Sequence, residues 1–293
     1  MPELPDITVY CEAVARRTVG KPLARVRILN PFFPRTFDPS YSEGEGQVVS
    51  AVRRVGKRVC LGMANQVWYV IHLMIAGRLH WKPPGAKLGG KLFLAAFDFA
   101  DGSLVVTEAG SKRRASLHVV RGEDGLAALN PGGLEPFEMT LDSFALALRA
   151  ENHTVKNVLT DPRVFSGIGN AYSDEILHRA RLSPLLLTGK MTDEQVAILF
   201  DAMKHVLAEW TDRLRTEAGE GFPEKVTAFR PEMAVHGKWK QPCPDCGSPV
   251  QRIRYADNET NYCARCQNGG KLLADRAMSR LLKQDRPKHL DDL

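Results

Sequence analysis

Cysteine is scarce in this chain, with six residues among 293. Over most of its length that excludes the disulfide framework on which small secreted domains depend. The opening MPELPDITVY has neither a basic n-region nor an apolar core, so no secretory leader is expected. Long apolar runs are missing too. The longest, VWYVIHLMIAG at 67–77, is too short for a bilayer and carries a histidine. No internal repeat or low-complexity tract appears. The expectation is a soluble cytoplasmic protein without a membrane partner.

What cysteine there is has been concentrated. Cys243 and Cys246 form one C-x-x-C, Cys263 and Cys266 another, and residues 247 to 262 separate them. That spacing is the pattern of a structural zinc site. Four thiolates close a tetrahedral shell around one Zn2+ and leave no open position for catalysis. VQRIRYAD and ETNYC, between the pairs, alternate like the two strands of a β-hairpin zinc ribbon. Two disulfides are the competing reading, disfavoured in a chain without a leader. The ribbon is too small to fold without its ion. Arg252, Arg254 and Arg265 lie within it, suited to nucleic acid. Cys11 and Cys60 stand alone in apolar company, as buried inert thiols do.

Forty basic against 34 acidic residues give a net charge of +6, which favours a polyanionic partner. The length suffices for two domains with their own cores plus the ribbon. Residues 1–130 read mostly as strands after an initial helix, ITVYCEAVARRTVG, that ends at Gly20. QVVSAVRRVGKRVCLGM gives two β-rich runs around Gly56-Lys57-Arg58. Asp101-Gly102 between apolar runs is a hairpin signal. GEDGLAALNPGGLEPFE (122–138) reads as connecting chain. The period then becomes helical, with caps at Thr140 and at Thr192 with Gln195. GEGFPEKVTAFR reads as a loop, and KLLADRAMSRLLK as an amphipathic segment. The fold class is α+β multidomain: an antiparallel β-sandwich at 1–130, a linker at 131–139, a helical domain at 140–240, the four-cysteine finger at 241–270 and a tail at 271–293.

Three separated stretches point one way: Met1-Pro2-Glu3-Leu4-Pro5-Asp6, KNVLTDPRVFSGIGNAYSDEIL (156–177), and the ribbon closing on Cys266-Gln267. In that order they resemble the formamidopyrimidine-DNA glycosylase / endonuclease VIII family, over nearly the whole chain to about residue 267. The resemblance implies a β-sandwich, a helix–two-turn–helix domain and a zinc finger, with DNA in the cleft between the halves. It implies a monomer working on double- or single-stranded damaged DNA, cytoplasmic and nucleoid-associated. The implied chemistry is removal of an oxidised base followed by strand cleavage. Without Met1, Pro2 would offer a secondary amine, neutral in useful fraction near pH 7, to attack C1′ as a Schiff-base nucleophile. Glu3 stands beside it as general acid to the sugar ring oxygen. The family places a phosphate-binding lysine where Lys57 stands. Asn170, with the free N–H groups of its helix, would meet a phosphate, or serve as a simple cap. Lys156 matches a basic position of the family, or else sits on a solvated helix face.

The lesion-reading parts depart from the pattern. Asp6 stands where the family usually has glutamate. In His72-Leu73-Met74-Ile75-Ala76-Gly77, Ile75 replaces the methionine that fills the void of a flipped base; isoleucine can still wedge there. The family's R-R-F-G segment has no clear counterpart; TEAGSKRRASLHVV (107–120) offers Lys112, Arg113 and Arg114. Asn258 occupies the finger position of an arginine that contacts phosphates around the lesion. No G-G-T-T-type lesion-capping segment precedes the finger. Altered or broadened base specificity follows as an expectation, favouring loosely held bases. Two other classes stand beside it: a non-catalytic damaged-DNA-binding paralogue, against which Pro2 and Glu3 argue, and a zinc-ribbon nucleic-acid interaction protein, against which the helix–two-turn–helix match argues.

Overall fold

Apolar alternation builds the first part of the molecule. β4 (Val67–His72) is buried at five consecutive positions, as a strand covered on both faces must be. Tyr69 and Ile71 enter the main core, while Trp68 and Val70 face the other way. The computed structural model describes residues 1–110, 112–224, 226–255, 258–274 and 287–292. After helix α1 (Leu4–Thr18), β1 (Arg25–Ile28), β6 (Phe93–Phe99), β7 (Gly102–Glu108) and β5 (Gly77–Lys82) form one antiparallel sheet in that order. β2 (Val49–Val55), β3 (Arg58–Met63), β4 and β8 (Ser116–Arg121) form a second. Their inner faces share a single core, where the Tyr69 and Phe97 rings meet edge to face at 5.3 Å. This is the expected antiparallel sandwich.

Two glycines are required by geometry. Gly56, at φ +57, makes the left-handed turn that joins β2 to β3 and sets Lys57 beside it. A Cβ at Gly102 would sit 2.5 Å from the Trp81 indole, so the β6–β7 hairpin closes only over a bare Cα.

The stretch 122–138 corrects the reading of it as plain connecting chain. Residues Gly122–Ala127 form helix α2. Gly122 turns the chain at φ +64, and Glu123 and Asp124 place negative charge on the first turn. Leu126 is buried against Cys60, Trp68 and Val70, which covers the outer face of the second sheet. Its glycines and acids suggest a loop; burial of one leucine decides for helix.

The chain divides into two compact units, one of residues 1–131 with 210–227, the other of 132–209 with 228–293. Of the expected helical span 140–240, residues 210–227 thus pack with the sandwich. The second unit holds α3 (Leu141–Arg149), α4 (Val155–Thr160), α5 (Asn170–Arg179), most of α6 (Asp193–Ala218), the hairpin β9 (Gln251–Tyr255)–β10 (Asn258–Tyr262), and the short α7 (Ala264–Asn268). The cap predicted at Thr140 and the capping box predicted at Thr192 and Gln195 both form. Thr140 Oγ1 accepts the Ser143 N–H at 3.2 Å, and Thr192 and Gln195 bond reciprocally at 3.2 and 3.1 Å. The helices share Phe144, fully buried, with the Phe165 and Phe200 rings 5.0 and 5.4 Å away. No helix among the described residues is long and apolar enough to cross a membrane. Most of the amphipathic stretch expected at 271–283 lies outside the described residues.

Phe144→Ala should cost about 3–5 kcal/mol, by lost burial plus a cavity. Urea unfolding followed by circular dichroism checks this; a loss below about 1 kcal/mol would mean the helical core closes without the ring.

Candidate nucleic-acid interface and zinc centre

In the first unit the amino terminus sits at the mouth of α1. Glu3, 3% exposed, is the N-cap residue, and its N–H donates to Asp6 Oδ2 at 3.0 Å. Asp6, where the resemblance led us to look for a longer acid, is therefore turned into the cap of its own helix. Pro2 is buried behind Met1. Burial pushes the terminal ammonium below its usual pKa; the Glu3 and Asp6 charges oppose this, while Arg78 and Lys57 add to it. Lys57 is drawn down by burial, with Glu3 opposing. Glu3 and Lys57, predicted with Pro2 as one catalytic group, thus share the electrostatic surroundings of the terminal amine that precedes Pro2.

Strand register adds a residue to which the sequence reading gave no role. Arg58 on β3 stands opposite His72 on β4, which stands opposite Ser116 on β8. Burial, with Arg58, Lys57 and His118 nearby, lowers His72 to about 4. Near neutral pH it is an uncharged imidazole among cations, a setting made for an anion. The H-L-x-M spacing held the signal, but its meaning depended on the pairing of β3 with β4.

The wedge candidates are neighbours. Ile75, 60% exposed, follows Met74 at φ +52 in the β4–β5 turn, and Arg78 Nη1 donates to the Ile75 carbonyl at 3.1 Å. A Cβ on Gly110 would lie 3.2 Å from Ala76 Cβ, so this turn abuts the loop that carries exposed Lys112, Arg113 and Arg114. That loop is anchored by Glu108, 1% exposed, whose carboxylate accepts the N–H groups of Arg114 at 2.9 Å and Ala115 at 3.2 Å. A carboxylate held by backbone donors is a stable buried charge. Glu108 was overlooked because its partners are main-chain groups.

In the second unit Asn170 takes the first position of α5, with Gly169 as cap. Its Nδ2 donates to the Glu259 carbonyl at 2.8 Å, so the turn is tied to β10. Lys156, 8% exposed, is not on a solvated face: its ammonium meets the Asn170 carbonyl at 3.2 Å and forms an ion pair with Asp174. The other Asp174 oxygen accepts from Asn261 N–H at 3.1 Å and faces His236 Nδ1 at 2.8 Å. Glu175 accepts the N–H groups of Ala234, Val235 and His236 at 2.8–2.9 Å. Lys156, Asn170 and the β9–β10 hairpin are thus assembled together. Asn258 is exposed, opposite Tyr255 at the hairpin end. Arg252 stacks on Trp239 at 3.5 Å and reaches Glu259 at 3.4 Å; Arg265 lies 4.0 Å from Asp291.

The four paired cysteines converge. Their sulfurs lie within 4.8 Å of one another, with 3.9 Å between Cys243 and Cys266 and 3.4 Å between Cys246 and Cys263. Zinc–sulfur bonds of about 2.3 Å require sulfurs roughly 3.8 Å apart, so the set fits a tetrahedral zinc ion and not disulfides. His178 Nε2 lies 3.3 Å from Cys243 Sγ and supports that ligand from α5. Cys11 and Cys60 are buried free thiols whose burial raises their pKa values.

Comparison with known proteins agrees along the chain. Residues 1–114 match the family described as the formamidopyrimidine-DNA glycosylase N-terminal domain, 133–216 the formamidopyrimidine-DNA glycosylase H2TH domain, and 240–269 a zinc finger found in FPG and IleRS. A formamidopyrimidine-DNA glycosylase of Symbiobacterium thermophilum is 30% identical over 279 residues, covering 91% of this chain and 89% of the relative. An uncharacterized formamidopyrimidine-DNA glycosylase-like protein of Mycobacterium tuberculosis is 43% identical over 156 residues, 53% of this chain and 95% of its own length. A solved complex of Lactococcus lactis Fpg with abasic-site DNA superimposes with a TM-score of 0.81 at 22% identity, over 91% of this chain and 99% of that one. At that identity the likeness is one of fold. The finger match and the sulfur geometry together make 243, 246, 263 and 266 the site of one structural zinc ion.

Elemental analysis should return one zinc per chain, and Cys246→Ser should release it and melt the ribbon; absence of zinc from protein purified without chelator would refute the site. A pH effect also follows. The folded state holds His72 near 4 against an ordinary 6.5, so the unfolded chain binds the proton first as pH falls. This contribution to stability is complete above about 6.5 and declines as pH drops from there towards 4. Denaturant melts at pH 7 and pH 5 should show a smaller acid loss in His72→Asn than in the wild type; equal losses would place the titration elsewhere.

Proposed function

This chain belongs to the formamidopyrimidine-DNA glycosylase family, and from that premise we propose that it is a base-excision glycosylase that removes damaged bases and then cleaves the strand. The observation that carries the reading is the setting of the amino terminus: Pro2 is buried at the start of α1, next to the buried Glu3 carboxylate, with Lys57 in the same electrostatic surroundings. A neutral amine placed beside a carboxyl group can act as a nucleophile with its general acid at hand.

With Met1 removed, Pro2 nitrogen bonds to C1′ of the deoxyribose. The base leaves with the electrons of the glycosidic bond. Glu3 delivers a proton to the ring oxygen as the C1′–O4′ bond opens, leaving an iminium. That cation acidifies C2′, and loss of its proton expels the 3′ phosphate, so that the strand is cut by β-elimination or by β,δ-elimination, in which a second elimination also expels the 5′ phosphate. Water releases the amine. Lys57 and neutral His72 supply the phosphate side of this corner. Asn170 and the first N–H groups of α5 form a second phosphate seat, and Lys156 holds that turn in place through the Asn170 carbonyl.

Ile75 and the residues at 112–114 stand where a flipped base must be replaced in the stack. A branched aliphatic and three flexible cations refill a duplex poorly. Opening a pair costs a few kcal/mol, less where the base is damaged or unpaired. The reading is therefore an enzyme of oxidised pyrimidines, hydantoins and lesions in single strands or bubbles, with weak discrimination by opposite base.

Borohydride should trap the protein on abasic DNA through Pro2. Pro2→Gly should weaken trapping sharply, and Glu3→Gln should lose base excision far more than cutting at preformed abasic sites. A peptide map placing the adduct on a lysine would overturn the nucleophile. Absence of any adduct would favour a non-catalytic binder. On a lesion panel, strong preference for 8-oxoguanine opposite cytosine would overturn the specificity.

A further inference from the structure

The chain between β1 and β2 carries three phenylalanines within six residues, NPFFPRTF at 30–37. Phe33 is 1% exposed and fills the sandwich core, but Phe32 is 77% exposed and Phe37 is 86% exposed. Exposed single aromatics are ordinary; two of them on a pinned segment are not. The segment lies along the free edge of β8. Leu117 N–H donates to the Phe33 carbonyl at 2.9 Å, Arg35 N–H to the Leu117 carbonyl at 2.8 Å, and Val119 N–H to Thr36 Oγ1 at 2.6 Å. Arg35 and Phe37 are both exposed on this segment. The rings are held out in water by a main chain that is itself fixed.

The unpaired charge beside them is positive. Burial, and then the charges of Arg58 and Arg35, lower His118 below its ordinary pKa. His118 Nδ1 is buried with no hydrogen-bond partner among the described residues. Neither Arg35 nor Arg58 has an ion-pair partner among them. The nearby acids are engaged elsewhere: Asp38 and Glu43 both pair with Arg121, at 3.3 and 2.6 Å. Arg58 in turn is opposite His72 in the phosphate corner. Arg58 of that corner and Arg35 of the phenylalanine segment thus act on the same imidazole.

We propose that Phe32 and Phe37, with Arg35, form a stacking platform for unpaired bases, so that the protein grips single-stranded DNA beyond the damaged nucleotide. The proposal rests on the DNA-repair reading above and extends it to the form of DNA engaged. A fixed aromatic face takes any base, and adjacent arginines take the phosphates between bases. A duplex presents no free base face to such rings. An apolar protein partner would have no use for an unpaired Arg35 between the rings.

The test uses the full-length zinc-loaded protein and three lesion-free probes: an oligo-dT strand, a blunt duplex, and that duplex with a single-stranded extension. Wild type should bind the extended duplex more tightly than the blunt one. Phe32→Ala with Phe37→Ala should lower oligo-dT affinity roughly tenfold or more and abolish the gain from the extension, with blunt-duplex affinity unchanged. Phe32→Leu with Phe37→Leu should be as weak as the alanine pair, and Phe32→Trp with Phe37→Trp should restore binding. Arg35→Ala should reduce the salt slope on oligo-dT by about one phosphate. If either the alanine or the leucine pair bound oligo-dT like wild type, the platform would be refuted and an apolar protein surface would take its place. If wild type bound none of the probes and no abasic duplex, the DNA-repair reading itself would fall.

Discussion

A carboxylate that cannot remain alone in the interior organises the second unit. Asp174 is fully buried, and an unpaired charge there would cost several kcal/mol. It is compensated by Lys156 from 18 residues earlier in the chain, by His236 from 62 residues later and by Asn261 from 87 later. Glu175 beside it gathers three successive N–H groups of the chain that leads into the finger. Removing one partner would leave the rest with an uncompensated charge, so the arrangement tolerates no partial assembly. The Asn170 turn and the β10 strand inherit their mutual placement from it. The zinc ion closes the ribbon locally, while Asp174 and Glu175 fix the ribbon to the helices.

The first unit is governed differently, by shape. Its two sheets bury aromatic and aliphatic side chains between them and need no internal charge. Glu3, Lys57 and His72 gather at one corner, where the start of α1, the Gly56 turn and the end of β4 lie. Burial there, with neighbouring cations adding to it, keeps His72 neutral and lowers the proton affinity of the terminal amine. The same crowding that destabilises the free protein makes the corner receptive to phosphate.

Features set by neighbours in sequence were legible without coordinates. Paired cysteines fix their own spacing, the caps at Thr140 and Thr192 satisfy donors three residues away, and Gly56 marks a turn that only glycine makes easily. The sandwich and the ribbon hairpin could be read from alternation. Features set by distant partners could not. Lys156 looked like a surface or DNA-facing cation because Asp174 offered no sign of being its buried mate. His72 acquired meaning only when β3 and β4 were paired. Helix α2 was hidden by its glycines, since one buried leucine does not make a periodic pattern. Asp6, which read only as a departure from the family's glutamate, is matched to the N–H of Glu3.

The way Glu108 secures its loop has a consequence for descent. The carboxylate grips main-chain N–H groups at 114 and 115, and every residue type except proline supplies those. The side chains at 112, 113 and 114 are exposed and play no part in that grip. Selection can therefore exchange them one at a time with little effect on folding, and paralogues of this protein can diverge in what they recognise while their frame stays the same.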